Sequence, residues 1–177
     1  TMNQEYALQR EDTFDFVHDS QRVFKMLMMS LAKPGDTYQL EPLSLAHSNN
    51  ELKYILQPFL TLLDLEATFS VACNDQEEKR GIESYLSLNT KSPVADYSAA
   101  DFILCLQSTL NGVYSELKRG TLLSPDDSAT IFYQVDKVSS RPFTGSSMLT
   151  LDGPGIERQK KIFFTGIAEE EIETWMK

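Results

Sequence analysis

Hydrophobic residues recur at helical spacing within His18–Gly35, near the start of the chain. Five of them follow one another at offsets of one, four, five and eight from the first: Val23, Phe24, Leu27, Met28 and Leu31. Side chains at these offsets share one broad side of an α-helix. The pattern therefore predicts a helix that packs this side against the core.

Signals for both ends of this helix lie in the same segment. Asp19 or Ser20 can cap its start, because each has a short side-chain acceptor for an unpaired backbone N–H. Pro34 and Gly35 end it, because proline disfavours helical backbone at Lys33 and glycine tolerates a positive φ.

Helical and strand patterns alternate through the rest of the chain. Helical spacing covers Asn49–Leu63, where Pro58 is expected to kink or split the helix, and a last helix is predicted near Ala168–Met176. Asn74–Arg80 is either a loop or the start of a helix to Tyr85 or Leu86, and Leu110–Leu117 is weakly helical. Strand patterns occupy six segments: Thr37–Glu41, Thr68–Cys73, Ser87–Thr90, Asp101–Leu106, Ala129–Val138 and Met148–Leu151.

This alternation favours an α/β fold in which helices cover a central sheet. The last two strands follow each other without an intervening helix, which indicates a mixed sheet rather than a wholly parallel one. No internal repeat or linker-like stretch divides the chain, so residues 1–177 are predicted to form one domain.

Composition narrows the classes of function. The chain has 177 residues and a net charge of −10, which opposes general binding to nucleic acid but is compatible with a basic protein partner. No signal segment and no apolar run near ~20 residues is present, which predicts a cytoplasmic protein. Cys73 and Cys105 lie in apolar runs and are expected to be buried free thiols.

Two features are candidates for anion chemistry. The glycine-rich segment Asp152–Ile156 either forms a turn or lets backbone N–H groups approach a phosphate, although it matches no phosphate-loop pattern. The cluster of Arg158, Lys160 and Lys161 that follows can hold an anion or an acidic partner, or simply be solvated.

Other catalytic constellations have little support in the sequence. The two histidines, His18 and His47, have no ligand-type neighbour at helical metal spacing, so no metal site is predicted. His18 can cap the helix, contact a partner or act as a base. No Gly-x-Ser-x-Gly elbow is present, so no catalytic serine is assigned.

The segment His18–Gly35 resembles the H subunit of the carbon–phosphorus lyase system of bacterial phosphonate breakdown. That family has a His-x-Ser-Gln-Arg-Val-Phe-Arg motif followed by Ala-Arg-Pro-Gly. The matching residues here are His18, Ser20, Gln21, Arg22, Val23, Phe24, Ala32, Pro34 and Gly35, with lysine at positions 25 and 33 where arginine is usual. Further similarity lies, in the family's order, in Thr61–Phe69, Asn89–Phe102, Arg119–Thr130 and Leu149–Ile156.

The resemblance implies a three-layer fold similar to a reduced large domain of the pyridoxal-phosphate transferases, but without the cofactor. Schiff-base chemistry needs a lysine, and Lys91 and Lys137 lie near predicted strand ends with nothing that marks either one. No bound cofactor is therefore expected. Members of the family that the chain resembles usually continue beyond the position of Lys177, so the end at Lys177 is either a truncation or a real difference from the family.

The resemblance also implies a function. The chain would be a non-catalytic or helper subunit, a homodimer assembled with the G, I and J subunits of the complex. That complex joins methylphosphonate to the ribose of ATP, displaces adenine and yields ribose 1-methylphosphonate 5-triphosphate. The motif residues that are candidates for contact with substrate or partner are His18, Arg22, Pro34, Gly35, Gly153, Pro154 and Gly155.

Two other functions stay open from the residues alone. One is a free-standing enzyme that uses His18, Arg22 and the Asp152–Ile156 loop on a phosphorylated substrate. The other is an unrelated acidic α/β binding protein.

Overall fold

The computed structural model describes residues 14–43, 52–106, 110 and 113–175. These residues form a mixed α/β structure with helices and two small sheets. The α-helices within them are α1 (His18–Ala32), α2 (Leu52–Leu62), α3 (Gln76–Thr90) and α4 (Glu169–Trp175). Short 3-10 helices lie at Tyr114–Glu116 and Pro125–Asp127.

The first sheet is wholly parallel and has the order β1-β2-β3. Its strands are β1 (Phe69–Ala72), β2 (Phe102–Cys105) and β3 (Thr130–Tyr133), with Phe69 opposite Phe102 and Phe102 opposite Thr130. The strands predicted at Thr68–Cys73 and Asp101–Leu106 are thereby confirmed. All of β1 and most of β2 are buried, which is why both read as continuous apolar runs.

The second sheet is antiparallel and has the order β4-β6-β5. Its strands are β4 (Lys137–Ser139), β5 (Ser147–Leu151) and β6 (Lys160–Thr165). The prediction of one mixed central sheet is therefore wrong, because the parallel and antiparallel strands belong to separate sheets. The strand expected over Ala129–Val138 is divided between them, and β6 was not predicted because it begins with two lysines.

The core lies on the two faces of the parallel sheet. Residues of α1, α2 and α3 pack on one face, around Phe69, Val71 and Leu104. Ala72, Ile103 and Cys105 point to the other face, where they pack against residues of the segments before and after β2. Within the second sheet Phe164 of β6 is buried, so this sheet contributes little to the core.

Helix α2 continues through Pro58, so the expected split does not occur in residues 52–62. A proline inside a helix costs about 3 kcal/mol. Burial of Leu56, Phe59 and Leu60 offsets that cost, because a fully buried side chain of this size contributes about 1.5–3 kcal/mol. The remaining part of the predicted segment, residues 49–51, lies outside the described residues.

Two predicted strands are wrong. Thr37–Glu41 has no regular secondary structure and pairs with none of the described strands. Ser87–Thr90 belongs to α3, where the side chains of Asn89 and Thr90 donate to the carbonyls of Tyr85 and Leu86 and so support the helix. The helical alternative for Asn74–Arg80 is the one that the structure shows, and the helix extends further than expected.

Candidate functional site

The first turn of α1 is capped by Asp15, which also pairs with His18. Oδ1 of Asp15 accepts from the backbone N–H of Val17 at 2.8 Å and of His18 at 3.0 Å, and Oδ2 lies 2.8 Å from Nδ1 of His18. The predicted caps Asp19 and Ser20 are wrong, because the helix begins at His18 and the side chain that accepts from the N–H groups at its start is Asp15. Asp19 instead accepts from the backbone N–H of Asp15 at 3.0 Å.

Both members of this exposed pair have shifted pKa values. The hydrogen bond with His18, together with the backbone donors, lowers the pKa of Asp15 to about 2. The same bond raises the pKa of His18 above its ordinary 6.5. His18 therefore keeps its proton to a higher pH than an isolated histidine does.

Arg22, one turn further along α1, connects the helix to the segment that precedes α2. Its Nη2 lies 3.0 Å from Oδ1 of Asp19 and its Nη1 lies 3.2 Å from Oε2 of Glu41. The Nε atom of Arg22 is buried and has no hydrogen-bond partner among the described residues. The guanidinium thus holds two carboxylates and keeps one donor unused.

Gln57 of α2 binds the other side of the same segment. Its Nε2 donates to the carbonyl of Glu41 at 2.5 Å and to that of Lys53 at 2.9 Å. The residue is fully buried, and its Oε1 has no partner in the described part of the chain. Arg22 and Gln57 together fix Glu41 between α1 and α2.

The remaining motif residues meet at the other end of α1. Gly35 has φ +84°, and a Cβ there would lie 3.2 Å from a methyl carbon of Leu151. Gly155 has φ +82°, and its Cβ would lie 2.7 Å from the carbonyl oxygen of Ala32 and 3.2 Å from Cδ of Pro34. The structure therefore brings the Pro34-Gly35 turn and the loop containing Gly153, Pro154 and Gly155 into direct contact.

An ion pair fixes this contact and uses one of the basic residues of the predicted anion cluster. Nζ of Lys160 lies 2.7 Å from Oδ1 of Asp36. Lys161 is paired with Thr150 and Lys160 with Leu151, so the two lysines point to opposite faces of the sheet. Arg158 is exposed in the loop. The three cations do not converge on one point.

This geometry favours the turn interpretation of the glycine loop over a phosphate cradle. Gly155 approaches the carbonyl end of α1, where the partial charge is negative and repels anions. His18 and Ala32 are the first and last residues of α1, about 20 Å apart at 1.5 Å per residue. His18 and the glycine loop therefore do not form one site.

The predicted core-facing side of α1 is only partly buried. Val23 is fully buried and Leu27 packs against the core, but Phe24 is 50%, Met28 49% and Leu31 73% exposed. Among the described elements α1 packs chiefly against α2, which covers one stripe of its broad apolar side. We call Phe24, Met28 and Leu31 the exposed strip.

A polar cluster at the carboxyl end of the parallel sheet was not predicted from the sequence. Sγ of Cys105 lies 3.9 Å from Oε1 of Glu171, whose side chain is 1% exposed. Burial raises the pKa of Tyr114, which is hydrogen-bonded to Tyr133. In open α/β sheets, ligands bind at the carboxyl ends of the strands. Cys105 and Tyr133 are the last residues of β2 and β3, so this rule could have identified them from the sequence.

Cys73 and Cys105 are both buried free thiols, as the sequence predicts. Burial raises the pKa of Cys73, and its Sγ donates to Oε2 of Glu78 at 3.4 Å. A protonated thiol is a poor nucleophile and a poor metal ligand.

The two lysines considered for Schiff-base chemistry have other contacts. Nζ of Lys91 donates to the carbonyl of Leu88 at 3.0 Å, and Nζ of Lys137 lies 4.5 Å from the centre of the Phe143 ring. Among the described residues, no three His, Cys, Asp or Glu side chains are grouped so as to hold a metal ion. His47 lies outside the described residues. None of the described helices is long and apolar enough to cross a membrane.

Comparison with known proteins agrees with the resemblance seen in the motif residues. The family model described as "Bacterial phosphonate metabolism protein (PhnH)" matches residues 12–177. No curated protein matches the chain. The family match covers nearly the whole chain, including α1 and the glycine loop that contacts it. The chain therefore belongs to the PhnH family of bacterial phosphonate metabolism proteins.

Proposed function

We propose that this chain is a helper subunit, without catalytic machinery of its own, of the carbon–phosphorus lyase core complex. It would be needed for making ribose 1-methylphosphonate 5-triphosphate from ATP and methylphosphonate. In this proposal the chain forms a homodimer and assembles with the G, I and J subunits. A cytoplasmic location is part of the proposal, because ATP is one of the substrates.

The observation that carries the proposal is the exposed strip on α1. The helix with the family motif buries Val23 and leaves Phe24, Met28 and Leu31 in solvent. Fully burying a large apolar side chain contributes about 1.5–3 kcal/mol relative to full exposure, and these side chains, half exposed or more, forgo roughly half of that each. A subunit that buries them in an assembly recovers that free energy, whereas a free-standing protein does not.

The motif residues support the same proposal through their contacts. Arg22 is engaged by two carboxylates, and Gly155 is packed against the end of α1. These contacts hold α1 in place at both ends, and the helix then offers a rigid surface to a partner. We also propose that the fold is a single domain related to a reduced pyridoxal-phosphate transferase domain, an idea that rests on the family resemblance.

The second candidate function, a free-standing enzyme, is disfavoured by the separation of its proposed parts. His18 and the Asp152–Ile156 loop lie at opposite ends of α1. No substrate of ordinary size bridges about 20 Å and reacts with groups at both ends.

Adenine release tests the proposed function directly. The G, I and J subunits, incubated with ATP and methylphosphonate, are expected to release adenine only when this chain is added. This chain alone is expected to release none. Adenine release by the chain alone would establish the enzyme alternative, and equal release without the chain would overturn the helper role.

A further inference from the structure

The loop from Lys118 to Ala129 presents two adjacent leucines to solvent at its tip. Leu122 is 104% exposed and Leu123 is 97% exposed. Single exposed apolar residues are common on protein surfaces, but two fully exposed leucines side by side form an apolar projection. Neither side chain contributes to the stability of its own fold.

Hydrogen bonds on both sides of the tip fix the loop backbone. At the base, the N–H of Ala129 donates to the carbonyl of Lys118 at 2.9 Å. Below the leucines, the N–H of Thr121 donates to the carbonyl of Ser124 at 3.0 Å, and the N–H of Ser124 donates to Oγ1 of Thr121 at 3.0 Å. A tip that is already ordered loses little conformational entropy when it binds.

Close packing and an ion pair attach the loop to the parallel sheet. A Cβ at Gly120 would lie 2.6 Å from the carbonyl oxygen of Pro125, so the two limbs touch where glycine has no side chain. Nζ of Lys118 lies 2.6 Å from Oδ1 of Asp101, immediately before β2. The projection is therefore rigidly mounted on the body of the protein.

We infer that Leu122 and Leu123 insert into an apolar pocket with a basic rim on another subunit of the phosphonate complex. The inference rests on the proposed function, since it assigns one of the surfaces through which the helper subunit docks. The two leucines would form a second docking surface in addition to the exposed strip on α1. The partner surface that receives them would be apolar at its centre and basic at its rim.

Charge around the tip selects the partner. Asp126 and Asp127 are exposed beside the leucines, Arg119 is the exposed cation of the loop, and Lys118 is paired with Asp101. The chain as a whole has a net charge of −10. A second copy would bring the same acidic charge to the contact, which opposes association, whereas basic rim residues complement it.

The test measures the affinity of the full chain for the purified assembly of the G, I and J subunits. The double variant Leu122→Ser, Leu123→Ser is expected to weaken binding by at least about 100-fold, because two leucines lose their burial in the pocket. Leu65→Ser is the matched control: Leu65 is 75% exposed and is not part of the Lys118–Ala129 loop, so this variant should bind within about threefold of the parent chain. Asp126→Asn with Asp127→Asn should reduce the association rate and its dependence on salt.

The outcomes separate this inference from the proposed function. If the parent chain binds and the double leucine variant, checked for its fold by circular dichroism, binds equally well, the inference is overturned and the helper role stands. If the parent chain binds none of the subunits, both fail. If the double variant changes only the size of the isolated chain in light scattering, the leucines contact a second copy and the inference is overturned.

A benzophenone amino acid at position 122 should cross-link to a partner subunit, and cross-linking only to a second copy would contradict the inference.

Discussion

Gly155 and Gly145 have nearly the same backbone conformation but different surroundings. Their φ values are +82° and +78°, yet a Cβ at Gly155 would meet the carbonyl of Ala32 at 2.7 Å while one at Gly145 would meet nothing within 4 Å. Gly145→Ala is expected to cost about 1 kcal/mol from backbone strain alone. Gly155→Ala should cost at least about 1 kcal/mol more, because the α1–loop contact must open.

Urea denaturation of the two variants measures this difference in the free energy of unfolding. Equal losses for Gly155→Ala and Gly145→Ala would show that the glycine loop does not pack tightly on α1. The sequence leaves a turn and a phosphate cradle open for Asp152–Ile156, because the packing partner of Gly155 is more than a hundred residues away and no local pattern identifies it.

The pair of Asp15 and His18 predicts a pH dependence for the start of α1. The pKa of His18 is raised, so its stabilising contribution is complete below 6.5 and is lost as the pH rises through the folded-state value. The pKa of Asp15 is lowered from 3.8 to about 2, so its contribution is complete above 3.8 and is lost as the pH falls toward 2. The pair should therefore stabilise the helix start most between about pH 4 and 6.5.

Nuclear magnetic resonance titration of the histidine ring checks this prediction. Asp15→Asn should move the pKa of His18 back toward 6.5, while His47 serves as an internal reference in the same spectra. An unchanged His18 titration in the variant would contradict the pairing. The sequence does not identify Asp15 as the cap of α1. A turn at residues 16–17 lies between Asp15 and the first residue of the helix, so Asp15 is not in the usual position for a cap.

At the scale of elements, α3 shows how a local signal determines a helix start. Oδ1 of Asp75 accepts from the backbone N–H of Glu77 at 2.8 Å and of Glu78 at 3.1 Å. Asp75→Ala should destabilise the protein by about 1 kcal/mol, whereas Asp75→Asn should retain most of the stability because asparagine also caps well. Thermal unfolding of both variants measures the difference; equal loss from alanine and asparagine would mean that capping is not what Asp75 contributes.

Elements with long-range partners were harder to predict. β1 and β2 could be recognised because burial on both faces makes each a continuous apolar run. β6 was missed because its two lysines interrupt the apolar pattern, although Phe163 and Phe164 follow them. Thr37–Glu41 has strand-like residues but no neighbouring strand, and a strand without a partner leaves its backbone groups unpaired.

At the scale of the whole molecule, the broad apolar side of α1 divides into a buried and an exposed stripe. Val23→Ala removes two fully buried methyl groups and should cost about 2 kcal/mol of stability. Met28→Ser with Leu31→Ser, on the exposed strip, should change the stability of the isolated chain by less than about 0.5 kcal/mol per site. The same double change should weaken assembly with the partner subunits, and pull-down with purified subunits measures that effect.

The division of this helix marks the limit of sequence-based reasoning about the molecule. Periodicity identifies the apolar side of α1, but it cannot tell a core contact from a contact with another subunit, because both require the same side chains. Most of the individual strands can be predicted from the sequence. Their separation into a parallel and an antiparallel sheet cannot, because it depends on which strands pair, and no single segment specifies that.

Co-expression of the tagged chain with the G, I and J subunits, followed by affinity purification and light scattering, tests the central claim most directly. The helper-subunit proposal predicts a stable assembly that contains all four subunits in fixed proportions. A tagged chain that purifies as a monomer or homodimer, with the other subunits left in the unbound fraction, would contradict it.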